Sequence, residues 1–164
     1  MATGKEDLLQ ALVDAYLMEK GTREFYAEAA RKATAPAAQR TFQGLSAWEE
    51  KHMDFIQYLY QAIMEDRDMA GFEEFKNKSA APVTEGGIPA KDLATRLEKV
   101  SISNDMEAIT LALEIEGKAY SLYWQLSKTA SDSNARVVFK SMMEQEIQHI
   151  SYIRDMMTSI YQSA

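Results

Sequence analysis

Apolar residues recur every three or four positions along four stretches of the 164-residue chain, the spacing of one helix face and not the alternation of a strand. This pattern predicts four helices: about Glu6 to Lys32, Arg40 to Glu65, "SNDMEA" (103–108) to Thr129, and Arg136 to Tyr161. Short turns, "ATAPAAQ" around Pro36 and "ASDSNA" before Arg136, close two helical hairpins, and Asn104 with Glu107 three residues later forms a capping box. The hairpins span 6–65 and 104–161; the connection 66–103 is too long for a turn and too polar for a core element, and is expected to hold one or two short helices, one starting near Pro89. The fold expected is all-α, a single-domain four-helix bundle with one long crossover between helices 2 and 3.

Polar residues interrupt the apolar stripes at matching heights. On the second helix the stripe is Phe42, Leu45, Glu49, His52, Ile56, Leu59 and Ile63; on the fourth it is Phe139, Met142, Glu146, His149, Ile153, Met156 and Ile160. The first helix contributes Leu9, Leu12, Tyr16, Glu19, Arg23 or Thr22, and Tyr26, and the third Ile109, Leu113, Glu116, Ala119 or Tyr120, and Tyr123. Four glutamates and the chain's two histidines therefore face one interior. Buried carboxylates need compensating positive charge, and Arg23 alone is too little. Two divalent cations balance four carboxylates, while neutral imidazoles ligate without adding charge. Glu-x-x-His spacing lets one carboxylate and one imidazole reach the same small volume.

The arrangement is repeated. Glu19 and Glu116, Tyr26 and Tyr123, Glu49 and Glu146, and His52 and His149 are each 97 residues apart, as are Ala15 and Ala112, Ala33 and Ala130, Phe42 and Phe139, and Ile56 and Ile153. Two hairpins descended from one unit would each deliver half of a shared site.

Composition narrows the chemistry. A formal charge of -7 without a basic cluster argues against nucleic-acid binding. The absence of cysteine excludes disulfides, zinc–thiolate and iron–sulfur sites within these residues. Lys5, Glu6, Asp7 and Asp14 interrupt the apolar run a signal peptide needs, and nothing approaches the roughly 20 residues of a membrane span, so a cytoplasmic protein with no membrane partner is expected.

In "EKGTREFY" (19–26), "EGKAYSLY" (116–123), "EEKH" and "EIQH" the chain resembles the ferritin-like diiron superfamily, and within it the rubrerythrin-like proteins. The resemblance implies Glu19 and Glu116 as terminal ligands, Glu49 and Glu146 as bridging ligands, and His52 and His149 as one imidazole per metal. It implies two iron ions as cofactors, with manganese or zinc also compatible with the donors. Tyr26 and Tyr123 would hydrogen-bond ligand carboxylates, with simple core filling as the other reading. The implied activity is an oxidoreductase reducing hydrogen peroxide or dioxygen with electrons from an external donor. A ferroxidase or iron-handling protein and a non-enzymatic metal-binding scaffold are the alternatives.

Two departures bear on this. These 164 residues contain no cysteine and so no cysteine-ligated rubredoxin domain, and the additional third-helix glutamate of rubrerythrins is absent: Leu113 and Ala119 lie three residues either side of Glu116, and Glu114 points elsewhere. The ten methionines, including Met142, Met143, Met156 and Met157, read as core filler. Phe55, Tyr58, Tyr60 and Tyr152 lie partly off the stripe and are placed at a subunit interface of an expected homodimer.

Overall fold

A computed structural model describes residues 4–65 and 104–163. Four helices make up this part: α1 (Lys5–Lys32), α2 (Pro36–Met64), α3 (Asp105–Thr129) and α4 (Ser133–Ser163). The crossover 66–103 and its expected short helices lie outside the described residues. No described helix is long and apolar enough to cross a membrane.

Two helices begin earlier than the periodicity alone indicates. Pro36 opens α2 at its first turn instead of ending the turn before it, because a helix start needs no N–H there and the ring presets φ. Helix α4 begins at Ser133, where Asp132 Oδ1 accepts from the Ala135 amide at 3.0 Å and satisfies an orphan donor. Helix α3 begins as expected: the Asn104 side chain accepts from the Glu107 amide at 2.9 Å. Glu6 and Asp7 in the first turn of α1, with Arg31 and Lys32 in its last, complement the helix dipole.

Helix α1 packs beside α2 and α3, and α4 beside α3 and α2. Asp105, at the start of α3, accepts from the Thr34 amide and hydroxyl, each at 3.0 Å, and from the Ala35 amide at 2.9 Å, fixing the α1–α2 turn against the second hairpin.

The core divides into two apolar clusters. One contains Leu8, Leu12, Tyr16, Phe55, Leu59, Tyr123, Phe139 and Met142; the other contains Phe25, Tyr26, Phe42, Leu45, Ile109, Ile153 and Met156. Each large side chain fully withdrawn from water contributes about 1.5–3 kcal/mol. Met142 and Met156 are buried, and Met143 and Met157 pack against the clusters.

The proposed interface aromatics divide. Phe55 and Tyr60 are buried inside the chain and so cannot line an interface; Tyr58 is half-buried and Tyr152 exposed. Because α2 is flanked by both α1 and α4, its buried arc is wider than a single stripe, and Met53, Phe55, Gln57 and Tyr60 fall within it.

Candidate metal centre

Between the two apolar clusters lies a belt of charge. Glu19, Glu49, His52, Glu116, Glu146 and His149 are all at most 1% exposed. Every helix supplies a glutamate, and α2 and α4 each add a histidine one turn further on. Of the residues left open by the pattern, Thr22 and Ala119 are the buried ones. Arg23 lies toward the surface, its guanidinium 3.8 Å from both Glu24 and Glu50, and does not neutralise the belt. No lysine or arginine is buried among the described residues.

The donor atoms form two overlapping groups of four, linked by a third of Glu49, His52 and His149. Glu19, Glu49, Glu146 and His52 make one, and Glu116, Glu49, Glu146 and His149 the other, with one donor atom per residue within 4.8 Å of the rest of its group. Glu49 turns Oε2 toward His52 Nδ1 at 3.2 Å and Oε1 toward His149 Nδ1 at 3.1 Å. Glu146 does the converse, Oε1 at 3.4 Å from His52 Nδ1 and Oε2 at 3.5 Å from His149 Nδ1. Each of these two carboxylates thus faces both halves of the site. Glu19 approaches His52 alone, at 3.7 Å, and Glu116 approaches His149 alone, at 3.3 Å.

The tyrosines cross between hairpins. Tyr123, on α3, donates to Glu19 Oε1 at 2.5 Å, while Tyr26, on α1, donates to Glu116 Oε1. The residues of α1 pair with those of α3 in opposite order, so the two helices run antiparallel. The tyrosine of each hairpin therefore orients the terminal carboxylate of the other.

Buried carboxylates this close cannot all ionise without cations. Burial, followed by repulsion from Glu49 and Glu146, holds Glu19 well above the usual carboxylate range. Burial and then Glu146 do the same to Glu116. Burial, and at Glu146 also repulsion from Glu49, would likewise raise these two acids, but the nearby protonated acids and imidazoles override it and hold both below that range. Burial opposes charging of the imidazoles, yet the surrounding carboxylates keep His52 and His149 protonated well above their ordinary range. Two carboxylates and two imidazoliums then balance, with Glu19 and Glu116 neutral. Burial, then the neighbouring carboxylates, raises Tyr26 and Tyr123, so both remain O–H donors.

The donor set fits a pair of divalent cations. Neither oxygen of Glu49 or of Glu146 makes a hydrogen bond, nor does Glu116 Oε2, an expensive state for a buried acid unless those lone pairs serve a cation. Glu114 is exposed and 3.7 Å from Lys118, and Ala119 is buried, so no further acid from α3 faces the site.

Sequence reasoning passed over Trp48 and Gln145. The Trp48 indole is T-shaped to both imidazoles, and Gln145, buried beside Glu146, occupies the equivalent place 97 residues on. The available signal was position: Trp48 precedes His52 by four residues and shares its face.

The sequence profile of the family described as Rubrerythrin matches residues 10–157. No curated protein matches the chain by sequence. Among solved structures, a dodecameric thioferritin, the bacterioferritin-related protein from Bacteroides fragilis, superposes with a TM-score of 0.67 at 14% identity, covering 98% of this chain and 89% of that one. At that identity the likeness speaks for the fold, a ferritin-like bundle.

Proposed function

The chain belongs to the rubrerythrin family, and from that premise we propose that it holds two iron ions and uses them to reduce hydrogen peroxide or dioxygen. Glu19, Glu49, Glu146 and His52 would hold one ion, and Glu116, Glu49, Glu146 and His149 the other. The observation that carries this reading is the shared pair of carboxylates: Glu49 and Glu146 each turn one oxygen to each imidazole. Two ferrous ions supply Lewis acidity and one electron each, enough with two protons to reduce one hydrogen peroxide to two waters.

The protein's own residues set the conditions. Glu49 and Glu146 span both positions, so a change of charge in one half is felt in the other. Tyr26 and Tyr123 keep the terminal carboxylates from swinging, and burial among carboxylates, which raises their pKa, keeps the phenolic protons in place. The apolar clusters above and below exclude bulk water, which strengthens each of these electrostatic contacts. No cysteine is present to build a thiolate–iron relay, so electrons would come from a donor outside these 164 residues.

A second reading, ferroxidase activity with iron passed on, is favoured by α3, where Leu113 and Ala119, three residues either side of Glu116, supply no additional carboxylate. One anaerobic experiment separates the two. The diferrous protein is mixed with one equivalent of peroxide or with dioxygen, followed optically, and then desalted and assayed for iron. Oxidation with two irons retained supports the first reading; oxidation with iron released supports the second. No oxidation by either oxidant refutes both.

A further inference from the structure

The imidazoles of His52 and His149 come from different hairpins, yet they stack, with ring centroids 5.1 Å apart and planes 15° from parallel. One indole touches both. Trp48 lies 6.5 Å from the His52 ring at 72° and 6.0 Å from the His149 ring at 81°. A metal-ligating histidine is ordinarily oriented by a hydrogen bond from its far nitrogen to a carboxylate or carbonyl. At His149 this tether is missing. Nδ1 is the nitrogen facing the three carboxylates, and Nε2, although buried, makes no hydrogen bond. The indole instead lies against the ring, in the edge-to-face contact that aromatic pairs prefer.

The internal repeat isolates this feature. All six acid and imidazole positions have matching counterparts 97 residues away, but Trp48 pairs with Gln145. The ligands are duplicated and the aromatic wall is not. One side chain of the first hairpin thus serves both rings, including the ring that belongs to the second hairpin.

Building on the dinuclear reading, we propose that Trp48 is a positioning residue that sets the orientation of both imidazoles together, so that the two halves of the centre depend on one side chain. The side chain meets the centre through the two rings and need not touch metal. Its loss acts on both positions at once, unlike the loss of either tyrosine.

The test uses the full chain and Co(II) alone as probe, with stepwise affinity by chelator competition and the visible Co(II) bands as a readout of coordination geometry. Trp48→Ala is expected to weaken both equivalents by about ten-fold or more, the scale of removing a ligand-orienting partner, and to alter the Co(II) bands, while Trp48→Phe restores most of both. In a Trp124→Phe background Trp48 is the single tryptophan, and its emission should change with each of the two equivalents. This readout does not depend on Trp48→Ala folding. Wild-type affinities and bands in Trp48→Ala, or emission insensitive to either equivalent, would overturn the proposal while leaving the dinuclear reading intact. A wild-type chain that takes up no Co(II) would overturn both.

Discussion

Replacing Tyr123 by phenylalanine removes one oxygen, and the structure says which half of the centre loses it. The phenol donates at 2.5 Å to Glu19 Oε1, inside a site at most 1% exposed. In the metal-free protein Glu19 holds its proton, so the lost bond has a neutral acceptor and contributes about 0.5–1.5 kcal/mol to folding. With a cation bound Glu19 is ionised, and a bond to a charged acceptor is worth about 1.5–3 kcal/mol. The difference, about 1–1.5 kcal/mol, is the part that weakens metal binding, a factor of about five to ten at 1.4 kcal/mol per decade. Only the equivalent held with His52 should weaken. Tyr26→Phe, acting on Glu116, should weaken only the equivalent held with His149. Competition titration with a chromophoric chelator and Zn(II), together with thermal melts of the metal-free variants, reads both quantities. If each variant melts lower but binds both equivalents as the wild type does, the tyrosines fill space and do not orient ligands, and the reasoning fails.

Three further outcomes follow from the same geometry. The folded metal-free chain keeps protons on Glu19, Glu116, His52 and His149 that an unfolded chain loses near 4.5 and 6.5; its stability should therefore fall as pH rises through and above that range, and metal affinity should climb, because binding expels those protons. Stability should also fall at the acid end as Glu49 and Glu146 take up protons, so urea midpoints across pH should show a maximum on the acid side of neutrality, and a maximum at alkaline pH would contradict the assignment. Asp105→Ala should cost about 1 kcal/mol at neutral pH after allowance for solvent screening; backbone and hydroxyl donors at Thr34 and Ala35 hold Asp105 below its usual range against burial, so the loss should shrink as pH falls through its titration. Phe42→Ala removes a fully buried ring stacked on Tyr26 at 5.9 Å and should destabilise by about 3–5 kcal/mol in denaturant titration; a loss below 1 kcal/mol would mean that the site's apolar flank is not packed as described.

The site was more legible than the helix ends. Glu49 and His52 stood out because they interrupt an otherwise apolar stripe, and the repeat at 97 residues tied them to Glu146 and His149 without any three-dimensional information. The start of α2 was misplaced because proline ends a helix from its interior but begins one at the first turn, and periodicity does not distinguish the two. Phe55 and Tyr60 were misassigned for a different reason: one stripe describes a helix with one neighbour, and α2 has two. The crossing of the tyrosines between hairpins depends on which helices lie side by side, and the spacing of seven residues after each glutamate is silent on that. Trp48 was overlooked because the repeat, which found the ligands, gives no weight to a position where the two copies differ.

The claim on which everything else rests is that six buried side chains form one dinuclear centre. Elemental analysis of protein loaded anaerobically with Fe(II) and then desalted tests it most directly. Two irons per chain in the wild type, falling below one when Glu49 and Glu146 are both replaced by alanine, is the expected result. Fewer than one iron in the wild type, or two retained in the double variant, would contradict it.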